Sequence, residues 1–327
     1  MSDALHTLVI GGTGLLGYHA VLELRRRGHP VSVLALDMPA PGFLPDGVEV
    51  VLADLDACDD AQVRTLLAGC DAIVFAIGKD DRVVPPRPAY DFFYRANVAP
   101  AVRVLRLARE AGVRRAVLCS SMFAHFDRIW PDFDLAGHHP YVRVRREQAA
   151  AALAAAGDEL SVTILEIGYV FGSVPGRQPL WDPMLRFARS RLPLLGAHGG
   201  TNAVAVQHVG EAIAGGIENS YHGPALVGDE NLPWTTLMER LAAAVGRPRS
   251  AHTLPYPVVR TALRPVRWWY ELRGLEHGLF LPELARAMNR GFYFDPAPYR
   301  RALGYGSGGL DAAIAETIQA AEPQPNT

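Results

Sequence analysis

Three glycines near the N-terminus are spaced at three-residue intervals, in the segment Gly11-Gly-Thr-Gly14-Leu-Leu-Gly17. An apolar run, Leu8-Val-Ile10, precedes them and an amphipathic segment follows, so the pattern predicts a strand, a tight turn and a helix. In such a turn Gly11 allows the change of direction, Gly14 lets the backbone approach a ligand, and Gly17 lets the helix pack closely on the sheet. The free N–H groups of the first helical turn suit a phosphate. The segment therefore predicts a pyrophosphate-binding loop, with an ordinary strand-to-helix turn as the alternative.

A carboxylate follows at the distance at which dinucleotide-binding folds hold a ribose. The next apolar run, residues 31–36, ends at Asp37, twenty residues after Gly17. A carboxylate there accepts hydrogen bonds from both ribose hydroxyls and repels a 2′-phosphate. The segment from Met38 to Pro41 holds no Arg or Lys that would bind such a phosphate. The pattern favours NAD over NADP, with a solvated loop carboxylate as the alternative for Asp37.

The elements that must position these residues alternate along the first 170 residues, where short β-branched runs are separated by helical segments. This alternation predicts a parallel sheet covered by helices on both faces. We predict an α/β fold, a doubly wound Rossmann-type sheet with a smaller, mostly helical C-terminal lobe. The predicted strands are 7–11, 31–36, 48–53, 72–77, 114–120 and 160–167, and the predicted helices are 14–28, 59–69, 90–112 and 141–157.

The domain organisation follows from a change in pattern after residue 170, where prolines and aromatic residues become more frequent. We predict a dinucleotide-binding domain over residues 1–172, to which the strand-helix unit 204–219 returns. Residues 173–327 are predicted to form a substrate-binding lobe. The final segment, 322–327, has the composition of a frayed tail.

Composition excludes several classes of protein. The net charge of −2 offers no basis for binding nucleic acid. Three cysteines have neither metal-ligand spacing nor the even count of a disulfide framework, and they fit a reducing cytoplasm. No apolar run approaches the roughly 18 residues that span a bilayer. We therefore expect a cytoplasmic protein with no metal site and no nucleic-acid or membrane partner.

Taken together, these motifs resemble the extended short-chain dehydrogenase/reductases, also known as NAD-dependent epimerase/dehydratases. The similarity extends over nearly the whole chain and includes Ala53-Asp-Leu55, Val74 to Gly78, Asn97-Val98, Val117 to Ser121, and Phe294-Asp295 with Leu303-Gly-Tyr305. The resemblance implies that NAD is held by Gly11, Gly14, Leu15, Leu16, Gly17, Asp37, Asp54, Leu55, Ala76, Ile77, Gly78 and Asn97, together with Tyr141 and Arg145.

The same resemblance implies the catalytic residues. In this family a Ser or Thr, a Tyr and a Lys four residues after the Tyr perform the chemistry, and the matching residues here are Ser121, Tyr141 and Arg145. Ser121 would orient the substrate oxygen, and Tyr141 would exchange a proton with it during hydride transfer. The cation at position 145 would hold the ribose and lower the pKa of Tyr141.

Two positions depart from the family pattern. Arg145 stands where the family has Lys; an arginine keeps the charge but does not release its proton, so no proton relay is expected through it. We predict that Tyr141 remains the acid/base with altered activity, and loss of catalysis is the alternative. Glu166 stands near the position of a family Arg-Pro pair. An ion pair with a nearby arginine is favoured, and an active-site carboxylate is the alternative.

Histidines and C-terminal arginines are weaker candidates. Surface or capping roles are favoured for His125, His138, His139 and His208, with a place beside the substrate as the alternative for the first three. A second set interleaves cations with aromatic side chains and suits a diphosphate clamp, an apolar lid or simple helix packing. It resembles the apolar lid of ketone- and steroid-reducing relatives more than a sugar-nucleotide site. The set comprises Arg260, Arg264, Arg267, Arg273, Trp268, Trp269 and Tyr270.

The function that these observations favour is an NAD-dependent oxidoreductase acting on a secondary alcohol or ketone of a small molecule, for which a hydrophobic substrate is one option. One alternative is a nucleotide-sugar epimerase or dehydratase that recycles its NAD. An alternative of another class is a non-catalytic NAD-binding sensor or scaffold, which the Lys-to-Arg change keeps open. The family further suggests a homodimer formed through the helices at 90–112 and 141–157.

Overall fold

A seven-stranded parallel sheet forms the centre of the molecule, in a computed structural model that describes residues 4–321. The strands are β1 Thr7–Ile10, β2 Val31–Ala35, β3 Glu49–Leu52, β4 Ala72–Phe75, β5 Arg115–Ser121, β6 Ser161–Ile167, β7 Tyr169–Phe171, β8 Leu194–Ala197, β9 Gly200–Ala205, β10 Gly223–Val227, β11 Glu230–Pro233 and β12 Ala251–Leu254. The α-helices are α1 Leu15–Arg26, α2 Asp60–Leu67, α3 Ala89–Phe93, α4 Ala99–Glu110, α5 Phe123–Ile129, α6 Leu135–His138, α7 Pro140–Ala156, α8 Asp182–Arg189, α9 Val206–Glu218, α10 Trp234–Ala244, α11 Tyr256–Leu272, α12 Leu281–Arg290, α13 Ala297–Leu303 and α14 Leu310–Ala320.

The strand order of the main sheet is β10-β6-β5-β4-β1-β2-β3. The chain runs outward from β1 to β3 and then crosses over to β4, so the order reverses between β1 and β4. Helices α1 and α9 pack on one face, and α2, α4 and α7 pack on the other. The predicted doubly wound fold is confirmed, and such sheets bind ligands at the carboxyl ends of the strands beside the reversal.

The C-terminal part differs in detail from its prediction. Helix α9 packs against α1 as expected of the 204–219 unit, but the preceding strand β9 pairs with β7 and β11 in a separate three-stranded sheet. The strand that joins the main sheet is β10, whose Pro224 is tolerated because β10 is an edge strand. Strands β8 and β12 form a further small sheet. The domain division at residue 172 stays a prediction, and the predicted tail at 322–327 lies outside the described residues.

The predicted helix over residues 90–112 is interrupted. A π-helical turn, Tyr94–Val98, separates α3 from α4. Such single π-helical turns inside α-helices are frequent at functional sites. Here the turn holds Asn97 fully buried, behind the loop that follows β4. Among the described helices, none is both long enough and apolar enough to cross a bilayer.

Candidate active site

The glycine loop joins β1 to α1 at the carboxyl edge of the sheet. Gly11 has φ +87°, a left-handed conformation, and a Cβ on Gly17 would collide with the carbonyl oxygen of Gly11. Gly14 is the N-cap of α1 in ordinary extended conformation, and a Cβ there would meet only the Gly11 carbonyl oxygen, at 3.4 Å. The protein thus leaves open space beside Gly14 and the free N–H groups of α1, which fits the phosphates of a dinucleotide.

A cleft of about 650 Å³ extends from this loop along the ends of β2 and β3. Asp37 lies exposed on its rim, at the place predicted for the ribose contact. Arg177, from the loop after β7, enters the same cleft and donates from Nη2 to Thr13 Oγ1 at 3.3 Å. The cleft brings together these predicted cofactor residues: Gly11, Gly14, Asp37, Asp54, Leu55, Ala76, Ile77 and Gly78.

A second cavity of about 320 Å³ adjoins the glycine loop through Gly14, Leu15 and Leu16. Ser121, at the end of β5, and Tyr141, in the first turn of α7, both line it. Arg145 lines it as well. The structure therefore places the three predicted catalytic side chains in one cavity, next to the loop predicted to bind phosphate.

Arg145 holds the phenol of Tyr141 in place. Its Nε donates to Tyr141 Oη at 3.0 Å, its Nη1 donates to Gln148 Oε1 at 2.9 Å, and its Nη2 donates to the Lys79 carbonyl at 3.3 Å. Both Tyr141 and Arg145 are buried. Because the phenol oxygen accepts from Arg145, its own proton is free to point elsewhere in the cavity.

Gln148 connects this pair to the rest of the site. Its Nε2 donates to the Asn97 carbonyl at 2.8 Å, and its Oε1 also accepts from Ser120 Oγ at 3.3 Å. Asn97 was predicted to contact the cofactor, but its side chain is buried and donates to the carbonyls of Phe93 and Lys79. The π-helical turn directs the amide into the protein, where it positions the loop that begins at Lys79, and a contact of Asn97 with the cofactor stays a prediction.

The pKa of Tyr141 differs from the sequence-based expectation. Burial raises it, and the nearby carboxylates Asp81 and Asp80 raise it further. Arg145 acts in the predicted direction by lowering it, through its charge and its hydrogen bond, but the net pKa of the phenol is raised. Tyr141 is therefore a neutral phenol at neutral pH, a state suited to donating a proton.

The segment Asp80-Asp-Arg82 was not recognised from the sequence. Arg82 pairs with Asp80, donates from Nη1 to the Leu180 carbonyl at 2.7 Å, and lies over the Trp181 ring at 5.6 Å. Burial and the neighbouring Asp80 raise the pKa of Asp81 to about 6. The sequence signal was the position of this segment directly after β4, at the edge where such sheets bind ligands.

Gln148 was also missed, although its position offered a signal. It is the last polar residue before the alanine run of α7 and lies seven residues after Tyr141, which places both on one face of the helix. The predicted ion pair of Glu166 is confirmed, since Arg128 Nη2 lies 2.6 Å from its Oε2. Burial nevertheless leaves the pKa of Glu166 raised.

The histidines lie outside the catalytic cavity. His139 is buried and its Nδ1 accepts from the Phe280 backbone N–H at 2.8 Å, while His208 bonds to Asp229 at 2.8 Å. His125 packs against Phe126 and Phe294. Within residues 4–321, no group of three or more His, Cys, Asp or Glu side chains is arranged to hold a metal ion.

The four C-terminal arginines also lie outside the cavity. Arg260 pairs with Glu283 at 2.8 Å, Arg267 pairs with Glu271 at 2.6 Å, and Arg273 stacks on Trp269. These contacts occupy Arg260, Arg267 and Arg273 at α11 and α12, and they do not form a diphosphate clamp over the catalytic cavity.

Comparisons with known proteins agree with this geometry. The model of an NAD(P)H-binding family matches residues 11–177, just over half of the chain. A 3-diazoavenalumate denitrifying reductase of a Streptomyces species is 27% identical over 79% of this chain and 84% of its own. A 2-alkyl-3-oxoalkanoate reductase of Stenotrophomonas maltophilia is 27% identical over 91% of this chain and 93% of its own.

Solved structures share the fold over the full length. The crystal structure of gox2253 superposes with a TM-score of 0.76 at 22% identity, covering 96% of this chain and 97% of that one. MoeE5 in complex with UDP-glucuronic acid and NAD gives a TM-score of 0.65 at 20% identity, covering 96% and 98%.

The chain therefore belongs to the NAD(P)H-binding family and, as its motifs predicted, to the extended short-chain dehydrogenase/reductases. It is an NAD(P)-dependent enzyme of that family, and its glycine loop lies within the matched residues.

Proposed function

We propose that the protein transfers a hydride between NAD and a secondary alcohol or ketone, with ketone reduction as the favoured direction. The observation that carries the proposal is the Tyr141 phenol: its oxygen accepts from Arg145 at 3.0 Å, so its proton remains available in the cavity that Ser121 lines. The raised pKa of Tyr141 keeps that proton in place until a substrate oxygen takes it.

The residues have separate roles in this proposal. A bound nicotinamide supplies or accepts the hydride. Ser121 Oγ donates to the substrate oxygen, and Tyr141 Oη gives it a proton as negative charge develops there. Arg145 orients the phenol, and Asp37 holds the adenosine ribose in preference to a 2′-phosphate.

The cavity walls favour a small hydrophobic substrate. Tyr169 and Trp181 stack at 4.8 Å along one side, joined by Ile167, Val170 and Phe123. A ketone substrate is also consistent with the relative named as an oxoalkanoate reductase. The epimerase alternative needs cations for a diphosphate, but Arg82, the one arginine besides Arg145 in the described cavity lining, already pairs with Asp80.

A cytoplasmic location and a homodimer complete the proposal. The described cysteines Cys58, Cys70 and Cys119 are all free thiols, as a reducing compartment would keep them.

The test is oxidation of NADH by the purified protein with a panel of aliphatic and aromatic ketones. Tyr141→Phe is expected to lower kcat by about 100-fold or more, because it removes the general acid. Tyr94→Phe is the matched control on the neighbouring π-helical turn, and it should retain full activity. Equal turnover by wild type and Tyr141→Phe would exclude the assigned role. If the folded protein bound neither NADH nor NADPH, the assignment as an NAD(P)-dependent enzyme would be excluded.

A further inference from the structure

Helix α11 lies on the surface of the fold, and much of it is exposed to solvent. It contains 17 residues, and none of its side chains is buried. Its main packing partner is α12. On the same inner side, Tyr270 and Glu271 line a cavity together with Tyr90 and Arg143. Large apolar side chains on the other side are open to solvent: Val258 (48% exposed), Val266 (40%), Trp268 (66%), Trp269 (47%) and Leu272 (88%).

Apolar side chains of α11 face outward, the reverse of their distribution in an ordinary surface helix. At 100° per residue, Val258, Ala262, Pro265, Trp269 and Leu272 fall on the half of the helix opposite α12. A surface helix of a globular protein normally turns its polar residues outward and its apolar stripe inward. This outward apolar half, with Trp268 and Val266 at its margins, is called the α11 face below.

Charge is distributed around the α11 face in a specific way. Arg264 and Arg273 lie along its two borders and are exposed. The single acidic residue of the helix, Glu271, lies on the inner side and is paired with Arg267. This region is therefore positive, although the chain as a whole has a net charge of −2.

We propose that the α11 face docks on the surface of an anionic lipid bilayer, with the helix lying in the interface. Tryptophan and leucine would enter the boundary between headgroups and acyl chains, while the bordering arginines reach lipid phosphates. Each such arginine adds attraction to an anionic leaflet. The sequence predicted no membrane partner, and the proposal departs from that because the exposure of this face depends on the tertiary structure.

A second copy of the chain is the main competing occupant. A helix of this length presents a strip of roughly 25 by 10 Å, or about 250 Å². A stable dimer buries about 800 Å² on each partner, so the face alone is too small for one. Arginines on both borders would also repel the same borders of a symmetric partner, whereas they complement an anionic leaflet.

The test is flotation of the full chain with phosphatidylcholine vesicles, with and without about 30% phosphatidylserine. Wild type should bind the anionic vesicles, and about 0.5 M NaCl should weaken this binding. The double variant Trp268→Gln/Leu272→Gln should lose at least about tenfold in affinity, because it removes apolar area from the interface. Arg264→Gln/Arg273→Gln should lose affinity only for the anionic vesicles. Leu52→Gln, an exposed leucine on β3 (48%), is the matched control and should bind like wild type.

Thermal unfolding and NADH binding of each variant show that the fold is kept, since none of these residues lines the cofactor cleft or the catalytic cavity. The proposal is overturned if wild type does not bind anionic vesicles, or if Trp268→Gln/Leu272→Gln binds them equally well. It is also overturned if light scattering finds a dimer that these two substitutions dissociate, because a second copy would then cover the face.

Discussion

The site has two halves: a nucleotide half, the cleft at the glycine loop, and a catalytic half, the cavity that holds Ser121, Tyr141 and Arg145. The two halves position their ligands in different ways. In the nucleotide half, backbone does the positioning: Gly11 turns the chain, and the space beside Gly14 is left free for a ligand. In the catalytic half, side chains do it, through the buried bonds of Arg145 to Tyr141, Gln148 and the Lys79 carbonyl. The difference implies that the first half depends on the absence of side chains and the second on their particular hydrogen-bonding geometry.

The sharpest test of the nucleotide half is Gly14→Ala. The protein itself accommodates a methyl group there, since the backbone is extended and the nearest atom is 3.4 Å away. Stability of the free protein should therefore change little, while NADH affinity should fall on the order of 100-fold, about 2.7 kcal/mol, because the methyl group occupies the place of a phosphate. Fluorescence titration and thermal unfolding measure the two effects.

Gly17→Ala is the matched comparison, because its Cβ would collide with the Gly11 carbonyl and destabilise the protein without any ligand. If Gly14→Ala bound NADH normally, the loop would not be the phosphate site.

The catalytic half is tested by restoring the family residue, Arg145→Lys. An ammonium group is a single point and cannot span the three acceptors that the guanidinium reaches, so Tyr141 would lose its fixed orientation. We expect kcat/KM to fall by about tenfold to a hundredfold. Arg146→Lys, at an exposed neighbouring position, should have no effect. A gain in activity for Arg145→Lys would instead indicate a degenerate site.

The same contrast explains what could be predicted from the sequence. The loop from Gly11 to Gly17 and the carboxylate Asp37 follow rules of local spacing, and the six predicted strands were found within one or two residues. The partners of Arg145 come from α7 and from the loop after β4, and the π-helical turn joins the network through Gln148. Their meeting depends on tertiary packing, which residue spacing does not encode.

Helix α11 shows what the sequence could not predict, namely which of its side chains are exposed. Its arginines and tryptophans were visible in the sequence, but they were compatible with a clamp, with a lid and with simple packing. Only exposure separates these possibilities, because the same amphipathic pattern can face a core, a cleft or solvent.

A smaller effect on the catalytic half is expected from Gln148→Leu. The leucine leaves an N–H of Arg145 and the buried Asn97 carbonyl without their present partner. Each unsatisfied buried group costs about 1–3 kcal/mol, so with two such groups the free energy of unfolding should fall by at least about 2 kcal/mol, measured in urea. Gln207→Leu, on the exposed side of α9, should change it by less than about 0.5 kcal/mol. Equal stability of the two variants would show that the network contributes nothing to folding.

The smallest effect concerns Asp81, whose charged carboxylate is disfavoured by its surroundings in the catalytic half. Its pKa is raised from 3.8 to about 6, mainly by burial and then by Asp80. Between these pH values the folded protein binds more protons at this site than the unfolded chain, so the stability that the site contributes is lost as pH rises through about 6. Asp81 is partly exposed in the catalytic cavity, and solvent screening reduces the cost of its charge to about 1 kcal/mol.

Asp81→Asn removes that charge, so the variant should be about 1 kcal/mol more stable than wild type at pH 8 and no more stable near pH 4. Asp158→Asn, an exposed carboxylate at the end of α7, should show no such pH dependence. Because Asp81 also raises the pKa of Tyr141, the alkaline limb of the kcat profile should move to lower pH in Asp81→Asn. A gain in stability without a shift of the alkaline limb would mean that Asp81 is destabilised by burial and does not act on Tyr141. A gain in stability together with that shift would mean that the enzyme tolerates a destabilising carboxylate because it keeps the Tyr141 phenol protonated.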